Sequence, residues 1–269
     1  MSGLIDATTG LRFGSGLQFQ TKIGGAGLQI VTATFTPASL FTGGYLGDWW
    51  DANNIATLYQ DSAKTTPVTA DNDPVGAWVG LVNGVTIVQA TAGAKPLYKS
   101  SNKTVLCDGV DDSLMTAAAQ SWSGYPFSIA ALFDQSVTGA GGGNGAIGLS
   151  ASPTDYACLG LISNFSLITD RAAATVVSSP GLSFPGASGF AAVFATFQSG
   201  AQALKFNNGS SGTAAATNTH AAPRVILGAG RQSAGTPSLF QATRIQDLIV
   251  INKALSADDM TSLRTYWGV

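Results

Sequence analysis

The feature that most constrains this chain is its punctuation. Short apolar runs recur along it, and clusters of Gly, Asn, Asp, Pro and Ser close each one. Asn83-Gly84 and Asn208-Gly209 are the strongest two-residue hairpin signals a sequence can carry. Between such stops lie strand-like runs at 77–79, 104–107, 114–115, 127–133, 146–149, 157–162, 165–168, 173–177, 190–197, 203–206, 224–228 and 245–251. Many short strands separated by turn residues fold as a β-sandwich or jelly roll. The acids agree with this. All 15 are Asp, and Glu, a strong helix former, is absent. With 269 residues, the chain suits one large all-β domain, alone or with an added arm.

One helix is expected, at the C-terminus. Ser256 is a good N-cap, Asp258 and Asp259 face the helix dipole, and Leu255 can staple onto Met260. Met260, Leu263 and Trp267 then share a face, and Gly268 stops the helix.

Residues 1–45 read differently from 46–269. Leu11, Phe13, Leu17 and Phe19 alternate with other residues, as do Leu28, Ile30 and Phe35, with Gly24-Gly-Ala-Gly27 between the two stretches. Two extended strands of this kind can hardly bury both faces alone. They form either a docking arm that adds strands to a partner or an edge hairpin of the main domain.

Charged residues make up 10% of the chain, against ~25% in ordinary soluble domains. A surface with so little charge has little to oppose association, so an assembly is expected. The net charge of −2 and the lack of a basic patch exclude phosphate-backbone recognition, hence nucleic acid. No run approaches the ~18 apolar residues of a membrane helix. The start, Met1-Ser-Gly-Leu-Ile-Asp6, lacks the basic and apolar regions of a secretion signal. Cys107 and Cys158 are expected as buried thiols, with pairing left open.

Several motifs, in order, resemble concanavalin A-like, laminin-G-type domains across residues 45–269. Cys107-Asp-Gly109-Val-Asp111-Asp112-Ser-Leu114 is similar to their opening "FDGVDDYL" strand. Phe190–Phe197 followed by 203–209 resembles their hairpin ending in Asn-Gly, and Arg224–Gly228 their "i-x-l-G" strand. Ile245–Leu263 is similar to their closing strand and "ALS" helix. The resemblance implies a concanavalin A-like jelly-roll sandwich with an N-terminal β arm and one short C-terminal helix. Leu58–Gly76 also resembles a segment recurrent in bacteriophage particle proteins. That implies a virion protein assembled in the host cytoplasm, whose residues 1–45 dock on other virion proteins, with a homotrimer favoured for a fibre or decoration role. Tail fibre, baseplate and capsid decoration all remain open.

Glycosidases of this fold use a pair of carboxyl groups, generally Glu, which this chain lacks. The lone His220 lies in a loop without a Gly-x-Ser-x-Gly elbow. No catalytic residue is therefore assigned, and the protein is expected not to be an enzyme. A glycan-cleaving jelly-roll enzyme and a purely stabilising decoration protein are the alternatives. Sugar recognition needs aromatic surface beside orienting polar groups. Trp122, Tyr125, Asn144, Asp155, Tyr156 and Arg231 fall in loop-like settings and are the candidates for a rim that binds host surface polysaccharide. No cofactor is required. Calcium could sit on Asp71 and Asp73, or on Asp108 and Asp111, although turn-capping explains the same residues.

Overall fold

A computed structural model of the chain describes residues 34–134, 145–162, 165–170, 175–178, 189–207, 209, 211–214 and 221–269, with two short strands further upstream. Two antiparallel sheets dominate. The first is built on Phe127–Asp134, with Phe190–Gln198 on one side and Ala242–Ile251 on the other. Beyond Phe190–Gln198 lie Ala201–Phe206 and Gly212–Ala214. Ala242–Ile251 pairs along one stretch with Thr104–Asp108 and along another with Gly47–Asp51. Leu97–Lys99 then closes that edge. The second sheet runs Thr175–Ser178, Phe165–Asp170, Asp155–Ile162, Ile147–Ser152, Arg224–Leu227, Leu114–Thr116, Thr86–Val88, Ala77–Val79 and Leu58–Tyr59.

Period-two alternation decides what each strand buries. Phe127, Ile129, Ala131 and Phe133 face the second sheet, meeting Trp50, Trp78, Ile147, Leu149, Phe197, Val225 and Leu227 in one inter-sheet core. Ala130 and its neighbours Phe194, Ile249 and Ile251 face outward, yet they are buried too. The C-terminal helix Ala257–Trp267 and the 3-10 turn Pro37–Phe41 cover that face through Leu263, Leu40 and Phe41. Two-sided burial explains why Phe127–Asp134 has no solvent-facing residue.

The helix forms as its sequence dictates. Ser256 Oγ accepts the Asp259 N–H, Asp259 returns a bond to the Ser256 N–H, and Gly268 closes the end at φ +73°. Leu255 and Met260 both pack on the outer core. Asn83-Gly84 turns Ala77–Val79 into Thr86–Val88, with Gly84 at φ +70°.

The chain is thus an all-β sandwich of jelly-roll type with one C-terminal helix. Some elements differ from expectation. Gly47–Asp51 is a fully buried strand, although Trp49-Trp50-Asp51 carries no alternation to announce it. Ala229–Ser233 and Thr236–Phe240 form a hairpin where loops were expected. Phe35, assigned to the arm, packs against the outer core, so attachment to the body begins ahead of residue 45. Of the other arm residues, Phe19 lies in Phe19–Gln20, which pairs with Val31–Thr32 as a hairpin would. Leu11, Phe13, Leu17, Leu28 and Ile30 lie outside the described residues.

Candidate functional site

On the second sheet, Leu149, Ala157 and Val225 point into the core. Their neighbours Ser150, Tyr156 and Arg224 must therefore point outward. These three share one rung, because Ser150 pairs with Tyr156 on one side and with Arg224 on the other. The Ala229–Ser233 hairpin arm lies over this face. Its approach depends on glycine, since a Cβ at Gly148 would sit 2.5 Å from the Gly230 carbonyl oxygen and one at Gly145 only 2.3 Å from Gly230 Cα. The Gln232 N–H donates to Ser150 Oγ at 3.1 Å.

This packing carries Arg231 across the rung. Its guanidinium lies over the Tyr156 ring, 5.8 Å from the centroid. Its Nε donates to Ser238 Oγ at 3.4 Å and its Nη1 to the Pro153 carbonyl at 3.3 Å. At the other end, Arg224 Nη1 donates to the carbonyls of Thr116 and Ala117 at 3.0 and 2.7 Å. Asp155 sits beside the rung, and its carboxylate accepts the Ala221 N–H at 3.0 Å.

Three of the six expected sugar-rim residues, Asp155, Tyr156 and Arg231, are therefore brought together, but on strands rather than loops. Tyr156 is 4% exposed and roofed by Arg231, so it cannot present an open stacking face. Trp122 is a correction. At 7% exposure it is part of the inter-sheet core, tilted against Phe127, which also stacks on Tyr125. Aromatic bulk beside a core strand is worth more buried than displayed. Asn144 lies outside the described residues, as does His220. Sequence reasoning missed Arg224 and Ser150. Their signal was the apolar alternation of Val225 and Leu227 and of Ile147 and Leu149, which assigns the residues between to the other face.

The acidic candidates divide. Asp71 accepts the Ser100 N–H and Oγ–H, and Asp73 accepts the Thr69 and Ala70 N–H groups. Both are held below the ordinary carboxylate range, chiefly by those backbone bonds. They cap turns, and neither joins an acidic cluster among the described residues. Asp108, Asp111 and Asp112 do converge, with one oxygen of each within 4.8 Å of the others. Asp108 Oδ1 accepts the Val110 N–H at 2.8 Å, while Asp112 Oδ2 accepts the Asp108 N–H at 3.0 Å. The oxygens left over could hold a hard cation. Burial pushes Asp112 up to about 6, and the two neighbouring carboxylates add to this.

One further carboxyl pair is buried. Asp51 and Asp247 face each other across adjacent strands beneath the C-terminal helix. Asp247 accepts the Trp49 indole N–H at 2.9 Å. Burial, and then the Asp51 charge, hold it well above the usual range. Cys107 and Cys158 are both buried thiols.

Compared by sequence, the chain matches no protein-family model and none of the curated proteins. Its structure is similar to that of a GH54 α-L-arabinofuranosidase, with a TM-score of 0.51 at 12% identity over 86% of this chain and 64% of that one. Trypanosoma rangeli sialidase is similar at 0.47 and 13%, over 85% of this chain and 33% of that one. Domain 4 of a GH43 extracellular arabinanase from Geobacillus stearothermophilus is similar at 0.47 and 11%, over 81% of this chain and 97% of that one. The chain thus spans a third of the sialidase and under two thirds of the arabinofuranosidase. At such identities the arabinofuranosidase likeness shows a shared β-sandwich fold. Among the described residues, no helix is long and apolar enough to cross a membrane.

Proposed function

We propose that this protein is a non-catalytic glycan-binding sandwich displayed on a bacteriophage particle, anchored by its N-terminal residues. The observation that carries the glycan-binding part is the outward rung of the second sheet. Arg224 and Arg231 place partly exposed guanidinium groups beside and over the buried Ser150 and Tyr156, on strands rather than loops. Rigidly placed polar groups of this kind fix the orientation of a sugar. The arabinofuranosidase is by name a glycan-cleaving enzyme, but this fold hosts lectins, enzymes and structural modules alike. A non-catalytic role is supported by the carboxyl inventory. The sequence has no Glu, Asp51 and Asp247 are sealed under the helix, and Asp108 and Asp112 spend oxygens on their own turn.

The virion role draws support from the Leu58–Gly76 resemblance and from the low charge, which suits a protein with neighbours on several sides. A trimer, in a fibre or decoration setting, fits both. An array of bacterial surface polysaccharides tests the glycan role, and binding to none at millimolar sugar would exclude it. Removing residues 1–33 tests the anchor. The truncated chain should fold and yet be missing from purified particles, whereas normal incorporation would refute the arm.

A further inference from the structure

The buried carboxyl pair under the C-terminal helix has no role in the glycan-binding surface, which lies on the other sheet. Trp49 and Ile249 face the layer under the helix, whereas Trp50 and Leu248 face the inter-sheet core. Alternation therefore turns Asp51 and Asp247 outward, with Trp49 and Ile249. The two acids are cross-strand partners, so their Cα atoms lie about 5 Å apart, and both are buried. Asp51 Oδ1 accepts the Asn53 N–H and side-chain amide, each at 2.8 Å, and Asp247 Oδ1 accepts the Trp49 indole N–H at 2.9 Å. Among the described residues, neither carboxyl forms an ion pair.

The last turn of the helix covers this pair. Tyr266 meets Trp49 edge-on at 5.9 Å, and Trp267 stacks on Phe194 at 5.8 Å. The Trp267 indole N–H comes near the Asp247 carboxyl but falls short of hydrogen-bond geometry. The surrounding groups bring no positive charge to the pair. Burial, and then the Asp51 charge, push up the phenols of Tyr266 and, from Leu97–Lys99, of Tyr98. On Phe127–Asp134, Leu132 pairs with Asp247, while Asp134 is matched by Arg244. Pro37–Phe41 has no titratable side chain, and Arg264, on the last turn itself, makes no ion pair among the described residues. The helix C-terminus adds partial negative charge. A second ionised carboxylate is strongly opposed in such a layer, so the pair favours one shared proton over none.

We propose that residues 264–267 form a proton-operated flap, closed while Asp51 and Asp247 hold at least one proton between them and lifted when the last proton passes to water. The second negative charge needs hydration, and the last turn is the thinnest cover to part. Tyr266, Gly268 and Val269 are already exposed, whereas Leu263 is fully buried and keeps the rest of the helix in place. Because the proton stabilises the closed form, closure is complete in acid. It is lost as pH rises through the folded value of the pair, which burial, and then the facing charge, set well above the ordinary 3.8 of Asp. Lifting uncovers Trp49 and Phe194, and so creates an apolar patch on the helix-covered side.

The test is hydrogen–deuterium exchange of the full chain between about pH 5 and pH 9.5, corrected for the intrinsic pH dependence of amide exchange. In the parent, residues 264–267 should lose about tenfold or more in protection across that range, while 257–262 keep theirs. Asp247→Asn still accepts the Trp49 N–H, and Asp51→Asn still accepts from Asn53, but in each the second negative charge cannot form. Both variants should therefore hold protection at 264–267 to within about twofold. Thermal midpoints equal to the parent's in acid would show that the variants are folded, and if one does not fold, the other decides alone. Constant protection in the parent, the same loss in a folded Asn variant, or a loss spread evenly over 257–267 would overturn the flap.

Discussion

At the scale of single residues, buried acids shape this protein more than its few surface charges. Asp48 is fully buried, and its carboxylate accepts the N–H groups of Trp49, Val82, Asn83 and Val85 at 2.7–3.1 Å. It is the post around which the Asn83-Gly84 turn is wound. The space is so tight that a Cβ on Gly80 would lie 2.1 Å from Asp48 Cγ. Asp48→Ala strands these donors and should cost about 3 kcal/mol in urea unfolding. Asp112 acts in the opposite sense. Its carboxyl is pushed up to about 6 from 3.8, so the folded state binds more protons than the unfolded one between those values. Its contribution is therefore most favourable in acid and declines as pH rises from about 4 to 6. Asp112→Asn, which can still accept the Asp108 N–H, should flatten that decline and raise stability at pH 7 by about 1 kcal/mol, as thermal melts across pH 4–7 would show. None of this was legible in the sequence. Asp48 precedes two tryptophans with no motif around it, and only the fold reveals that four amides converge there.

At the scale of elements, legibility followed periodicity. Phe127–Asp134 and Phe190–Gln198 emerge from their apolar runs, and Ala257–Trp267 from its cap and staple. Gly47–Asp51 and the Ala229–Phe240 hairpin did not. The first is buried on both sides and so shows no alternation. The second is held by glycine contacts that composition reads as loop. The same blindness misplaced Trp122, because a large aromatic between strands looks alike from sequence whether it lines a rim or plugs a core. Two outcomes test these elements. Leu263 is fully buried where the helix meets Phe194 and Ile249. Leu263→Ala should cost about 3 kcal/mol and lower the thermal midpoint. Gly148→Ala should push Gly230 away and lift the Ala229–Phe240 hairpin, costing about 2 kcal/mol. Limited proteolysis should then cut first within 229–240 while the remaining sandwich resists.

At the scale of the whole molecule, one sheet belongs to two cores. Residues of Phe127–Asp134 and Ala242–Ile251 alternate between the inter-sheet core and the layer under the helix, so neither can melt without exposing the other. Tryptophan fluorescence reports both layers, through Trp50 and Trp78 inside and Trp49 and Trp267 outside. Urea transitions followed by fluorescence and by far-ultraviolet circular dichroism should therefore coincide, and two separated midpoints would show independent layers. The double covering also gives the molecule a front and a back. Helix and 3-10 turn tile the first sheet's outer surface, whereas the second sheet's outer surface carries the arginine rung under a single light hairpin. Phe35 packs on the tiled side. Under the proposed function, a body tethered from behind and read from in front can stand shoulder to shoulder with copies of itself, each turned the same way, without any of them hiding what it has to offer.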